Sequence, residues 1–222
     1  MTSLGAIQDH ALARELVLPV SATALGRELR NALIQASNAG ALRSSPAEIF
    51  QLIQVLAEPP PMVAEQLRER KLLRDACCIV GGEKNQRRDP GLAHFVRDDD
   101  AWFDFSVTVR QRGALELLAY NFEIRFPSAM GSPFLRFDLN LPEHRNEHRE
   151  LRSHLHVGSD DLYVPAPLMS PFELIGLFVH ALRRPTDREA WRAPTSFEID
   201  WFLTTHHELA SRGSLSSGTS GG

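Results

Sequence analysis

The sequence predicts an α+β fold: an antiparallel four-stranded β-meander flanked by N-terminal and C-terminal helices. Three observations carry this. Helix-start signals gather at the two ends of the chain. Period-two alternation of apolar side chains occupies the middle. Short turn-forming stretches separate the alternating segments, which suits hairpins rather than crossovers. Across 222 residues, 43% hydrophobic and 23% charged content is that of a folded globular chain and excludes wholesale disorder.

In the N-terminal third, Ser21 precedes ATALGRELRNALIQASNA, where Leu25, Leu29, Ala32, Leu33 and Ala36 recur at helical spacing up to Gly40. Ser45-Pro46-Ala47-Glu48 is a capping box with proline at the first helical position. It opens EIFQLIQVLAE, a helix that Pro59-Pro60-Pro61 ends, and MVAEQLRERKLLRDA reads as a further helix. The domain reading is therefore a helical region over 1–75, an α+β domain over 76–210 and a disordered tail over 211–222.

The texture changes at CCIV, which Gly81-Gly82 interrupts, and the polar segment 83–100 reads as a loop. In AWFDFSVTVR, Phe103, Phe105, Val107 and Val109 share one face of a strand. Gln111-Arg112-Gly113 turns the chain into LELLAYNFEIRF, read as one uninterrupted strand. Leu115, Leu117, Ala119 and Asn121 fall on one face of it, with Leu118, Tyr120, Phe122, Ile124 and Phe126 on the other. PFLRFDLNL and LRSHLHVG complete the meander. Ser170-Pro171-Phe172-Glu173 is a second capping box, starting a helix to Pro185, and Thr195 starts a last one ending near Gly213.

Several classes are excluded or disfavoured. The net charge of −4 confines any nucleic-acid contact to a local patch. Residues Asp9, His10, Arg14 and Glu15 break up any signal-peptide core, and no apolar run approaches bilayer length. Adjacent Cys77 and Cys78 neither close a disulfide readily nor form a CxxC metal pair. The expectation is a cytoplasmic protein without membrane contact.

The chemistry concentrates where four of the nine histidines, His144, His148, His154 and His156, crowd positions 144–156. On a strand, Arg152, His154 and His156 share a face, and Arg136 and Asp138 do the same on the preceding strand. Two imidazoles can pass a proton each way, and guanidinium groups can hold phosphoryl charge. This predicts a ribonuclease needing no cofactor. His154 and His156 act as acid and base, Asp138 orients an imidazole, and Arg136 and Arg152 stabilise the charge on phosphorus. Two alternatives remain. The same His-x-His is a metal pair, with Asp138, Asp160 or Asp161 completing a zinc-dependent hydrolase site. Otherwise the strand is structural and the helical N-terminal region docks a protein partner. His144-Arg145-Asn146-Glu147-His148 also spells the inverted zinc-peptidase pattern, which a short solvated helix explains as well.

The order YNFEIRF, LRFDLN, a histidine-bearing polar insert, HLHVG, a proline-containing segment and a helix resembles the TumE-type toxins of bacterial toxin–antitoxin pairs. Arg136-Phe137-Asp138 and His154-Leu155-His156 carry the likeness, which covers about residues 115–185. The resemblance implies a bacterial toxin or antiviral defence protein, an antitoxin partner of helix-turn-helix type and action on RNA.

Overall fold

The computed structural model describes residues 3–83, 89–128, 131–143 and 151–183. Within them the fold is α+β. Its helices are α1 (Ser3–Leu12), α2 (Ala22–Asn38), α3 (Pro46–Leu52), α4 (Pro61–Glu69) and α5 (Pro171–Gly176), the last continued by a π-helical turn, Leu177–Ala181. The strands are β1 (Ile53–Leu56), β2 (Ala76–Gly81), β3 (Phe95–Val96), β4 (Trp102–Arg112), β5 (Ala114–Arg125), β6 (Phe134–Leu139), β7 (Ser153–Val157) and β8 (Tyr163–Pro165). They form one antiparallel sheet in the order β1-β2-β4-β5-β6-β7-β8, with β3 paired to β4. The meander β4 to β7 is as predicted, and the sheet extends beyond it at both ends.

The starts of α2, α3 and α5 follow the sequence signals, whereas α1 forms where no helix start was expected. Ser21 Oγ accepts from Ala24 N at 3.1 Å. Ser45 with Glu48, and Ser170 with Glu173, each close a reciprocal capping box. The predicted helix after Ser45 is cut short: it stops at Leu52, and Ile53–Leu56 become a strand paired to β2. β-branched Ile53 and Val55 favour extended backbone, and pairing to β2 settles the choice. The first third therefore contributes a strand to the sheet. Within the predicted loop 83–100, Phe95 is likewise drawn into β3, fully buried between Phe103 and Phe105. The final helix from 195 and the tail fall outside the described residues.

One face of the sheet builds the main core. Phe103, Phe105, Val107, Val109, Tyr120, Phe122, Ile124, Phe137 and Leu139 pack under Leu25, Leu29 and Leu33 of α2 and Leu174 and Phe178. A β-bulge in the β4–β5 pairing corrects the predicted faces of β5. Thr108 pairs with Ala119 and Val109 with Leu117, leaving Leu118 as the extra residue. Leu115 and Leu117 thus join Tyr120, Phe122 and Ile124 in the main core. Leu118 packs instead with Leu67 of α4, Ala76 and Leu141. The bulge also puts Ala119, Asn121 and Glu123 on the opposite, polar face.

Candidate functional site

Directly opposed residues in antiparallel strands point to the same side. The register therefore lays two polar rows across the face away from the main core. One runs Asp104, Glu123, Arg136, His156, Tyr163. The other runs Ser106, Asn121, Asp138, His154, Pro165. The Arg-x-Asp of β6 thus faces the His-x-His of β7 tip to tip.

Asp138 is the hub. Its Oδ2 lies 3.7 Å from His154 Nε2 and 3.3 Å from His156 Nε2. One ligand atom from each of the three residues fits within a 4.8 Å span. All three are buried, with His154 only 2% exposed. Asn121 Nδ2 donates to Asp138 Oδ1, and Arg136 Nε donates to Oδ2 at 2.8 Å, so the carboxylate is clamped in orientation. Tyr163 lays its ring beside both imidazoles, 5.3 Å from His154 and 5.1 Å from His156 between centroids. Burial depresses the pKa of His154 and outweighs the attraction of Asp138, with His156 and Arg136 adding to the depression. His154 is a neutral ring at neutral pH. Nδ1 of His156 is buried with no hydrogen-bond partner.

The arginines behave differently from each other. Arg136 joins the cluster but is closely engaged by carboxylates: Asp138, Asp160 at 2.5 Å and Glu123 at 3.6 Å. Glu123 is shared with Arg125, whose guanidinium donates to its Oε1. Arg152 stays apart. Its Nε donates to the Asn140 carbonyl at 3.1 Å and its Nη2 to the Leu118 carbonyl at 3.3 Å, so it ties the segment before β7 to the bulge on β5. The expected sharing of a phosphate by Arg152 and the histidines is not what this arrangement provides. The physical reason is that the guanidinium donors of Arg152 are taken up by two backbone carbonyls, of Asn140 and Leu118. The HxxEH segment lies outside the described residues.

Four side chains of the site escaped the sequence reading of the histidine cluster: Asn121, Glu123, Arg125 and Tyr163. The alternation Asn121, Glu123, Arg125 along β5 was the visible signal for the first three, and no such pattern marked Tyr163 on β8. Asp161, weighed as a ligand beside Asp160, is not in the cluster of three.

No protein-family model matches the chain, and no curated protein or solved structure matches it either.

Proposed function

We propose that Asp138, His154 and His156 hold a divalent metal ion of the zinc type, and that the chain is a metal-dependent hydrolase. The observation that carries this is the spacing of Asp138 Oδ2 from the two Nε2 atoms, 3.3 and 3.7 Å. Ligand atoms on a tetrahedral ion with bonds of about 2.0–2.1 Å lie about 3.3 Å apart. The donor set also fits. A neutral imidazole is the ligating form, and burial keeps His154 in it. Asn121 and Arg136 hold the carboxylate as outer-shell partners do. Three protein ligands leave a fourth position open, which is the catalytic rather than the structural pattern.

A zinc-type ion supplies Lewis acidity and a bound water of lowered pKa. The protein's own residues then have separate tasks. Asp138 and the imidazoles bind. Arg136 and Asn121 orient the carboxylate. Tyr163 restricts both rings. Metal analysis of the purified protein, with titration of zinc into the metal-free form, should give one ion per chain. Asp138→Asn and His156→Ala should each weaken binding at least tenfold, an effect as large as loss of an outer-shell partner. Unchanged zinc affinity in both variants sinks the assignment.

A second reading keeps the paired-histidine ribonuclease, with an antitoxin-like partner and a toxin or defence role. It is favoured by the 3.3 Å approach of His156 to Asp138, which suits an oriented imidazole. It is weakened by the engagement of Arg136 and Arg152 elsewhere. RNA cleavage that survives a chelator and is lost in His154→Ala and His156→Ala would establish it over the metal reading.

A further inference from the structure

We propose that Asp160 occupies the place of an oxyanion on the substrate, so that this site acts on molecules carrying a carboxylate or phosphoryl group, which displaces Asp160 from Arg136. The inference rests on the metal reading above.

The charges around Arg136 motivate it. Arg125 and Arg136 face Glu123 and Asp138, two cations against two anions, all largely buried. Asp104, next along the row, is answered by His94 at 3.5 Å. Asp160 is the third carboxylate at Arg136, beside Asp138 and Glu123. It is also the exposed one: its side chain is 52% accessible, whereas that of Arg136 is 18%. It comes from the turn between β7 and β8, where Gly158 takes φ 69°, a left-handed conformation that favours glycine. Its Oδ1 accepts from Arg136 Nη1 at 2.5 Å, on the same guanidinium whose Nε holds Asp138. A divalent ion bound at Asp138 would add two positive charges beside Arg136, which favours an anion there. An oxyanion in Asp160's position would be held by the same guanidinium that holds Asp138, one of the three residues that would bind the ion. An exposed ion pair contributes little, so exchange of Asp160 for a ligand is inexpensive. Binding through a fork-shaped guanidinium is well suited to either oxyanion.

The test uses the zinc-loaded full chain, with zinc stoichiometry measured first, and calorimetric titration of inorganic phosphate and, separately, acetate. Asp160→Ala should bind at least one of these probes about fivefold or more tightly than the parent, because its competitor is gone. Whichever probe gains identifies the oxyanion. Asp161→Ala, a neighbouring acidic control, should match the parent. Arg136→Lys in the Asp160→Ala background should lose the gain. Zinc bound at one per chain with neither probe improved by Asp160→Ala overturns the anion inference and leaves the metal centre standing. Equal gains in Asp160→Ala and Asp161→Ala also overturn it, since they would show a general charge effect. Failure of the parent to bind zinc removes the metal reading and this inference with it.

Discussion

His154 is the residue whose protonation should be most visible. Its folded pKa lies below the ordinary 6.5 because burial disfavours the imidazolium. A depressed basic group leaves stability intact above the unfolded pKa. That stability is lost as pH falls from about 6.5 through the folded value, because the unfolded chain takes up the proton first. Stability should thus decline with acidification in the parent and decline less in His154→Gln, as read by urea unfolding across that range. Zinc affinity should fall over the same interval. His94 works in the opposite sense. Burial opposes its charge, but Asp104 and the Asp89 carbonyl raise its pKa, so its contribution is lost as pH rises. Taking the difference between parent and His154→Gln separates the two. At the same scale, Asn121→Ala should leave the fold intact and weaken zinc binding about tenfold, through loss of the donor on Asp138 Oδ1. Arg136, Asp138, His154 and His156 were legible in the sequence because period-two spacing places them on faces. Arg152 obeyed the same spacing, yet its guanidinium went to two backbone carbonyls, which no pattern of side chains announces.

Among the elements, the decisive ones are the bulge at Leu118 and the strand β1. The bulge reverses the side of every β5 residue after it relative to Leu115 and Leu117, and so delivers Asn121 and Glu123 to the polar face. Deleting Leu118 should restore a plain ladder and push Asn121 and Glu123 toward the main core, unfolding the chain or abolishing zinc binding. Circular dichroism and metal titration would distinguish these outcomes. A regular alternation was readable from the sequence, but a single extra residue within it was not, since Leu118 is apolar on either face. The capping boxes were fully readable, because Ser45, Glu48, Ser170 and Glu173 satisfy backbone groups within four residues of themselves. Ser170→Ala should cost about 1 kcal/mol in chemical unfolding. In β1, the local helical tendency of a capped segment competed with pairing to β2, and the distant partner prevailed.

At the scale of the whole molecule, Arg97 joins the ends of the fold. It is fully buried, donates through Nε to Asp99 Oδ1 at 2.9 Å, and reaches the Phe178 carbonyl at 2.6 Å. That carbonyl lies in the π-helical turn after α5, so one guanidinium fastens the segment before β4 to the C-terminal helical layer. Arg97→Met should destabilise the protein by about 3 kcal/mol or more, measured by chemical unfolding, because it leaves Asp99 and the carbonyl without their buried donor. Local spacing by itself determined the helix starts, the alternation of the strands, and that Arg136 with Asp138 and His154 with His156 each share a face, since each depends on residues two to four apart; the register that opposes the two pairs came from the sheet. Only the tertiary structure decided which side of the sheet Asn121 and Glu123 occupy, where Arg97 and Arg152 spend their donors, and how deeply His154 is buried. Those outcomes depend on the packing of strands and helices far apart in the chain, and on backbone groups whose need for partners appears only once the sheet has formed.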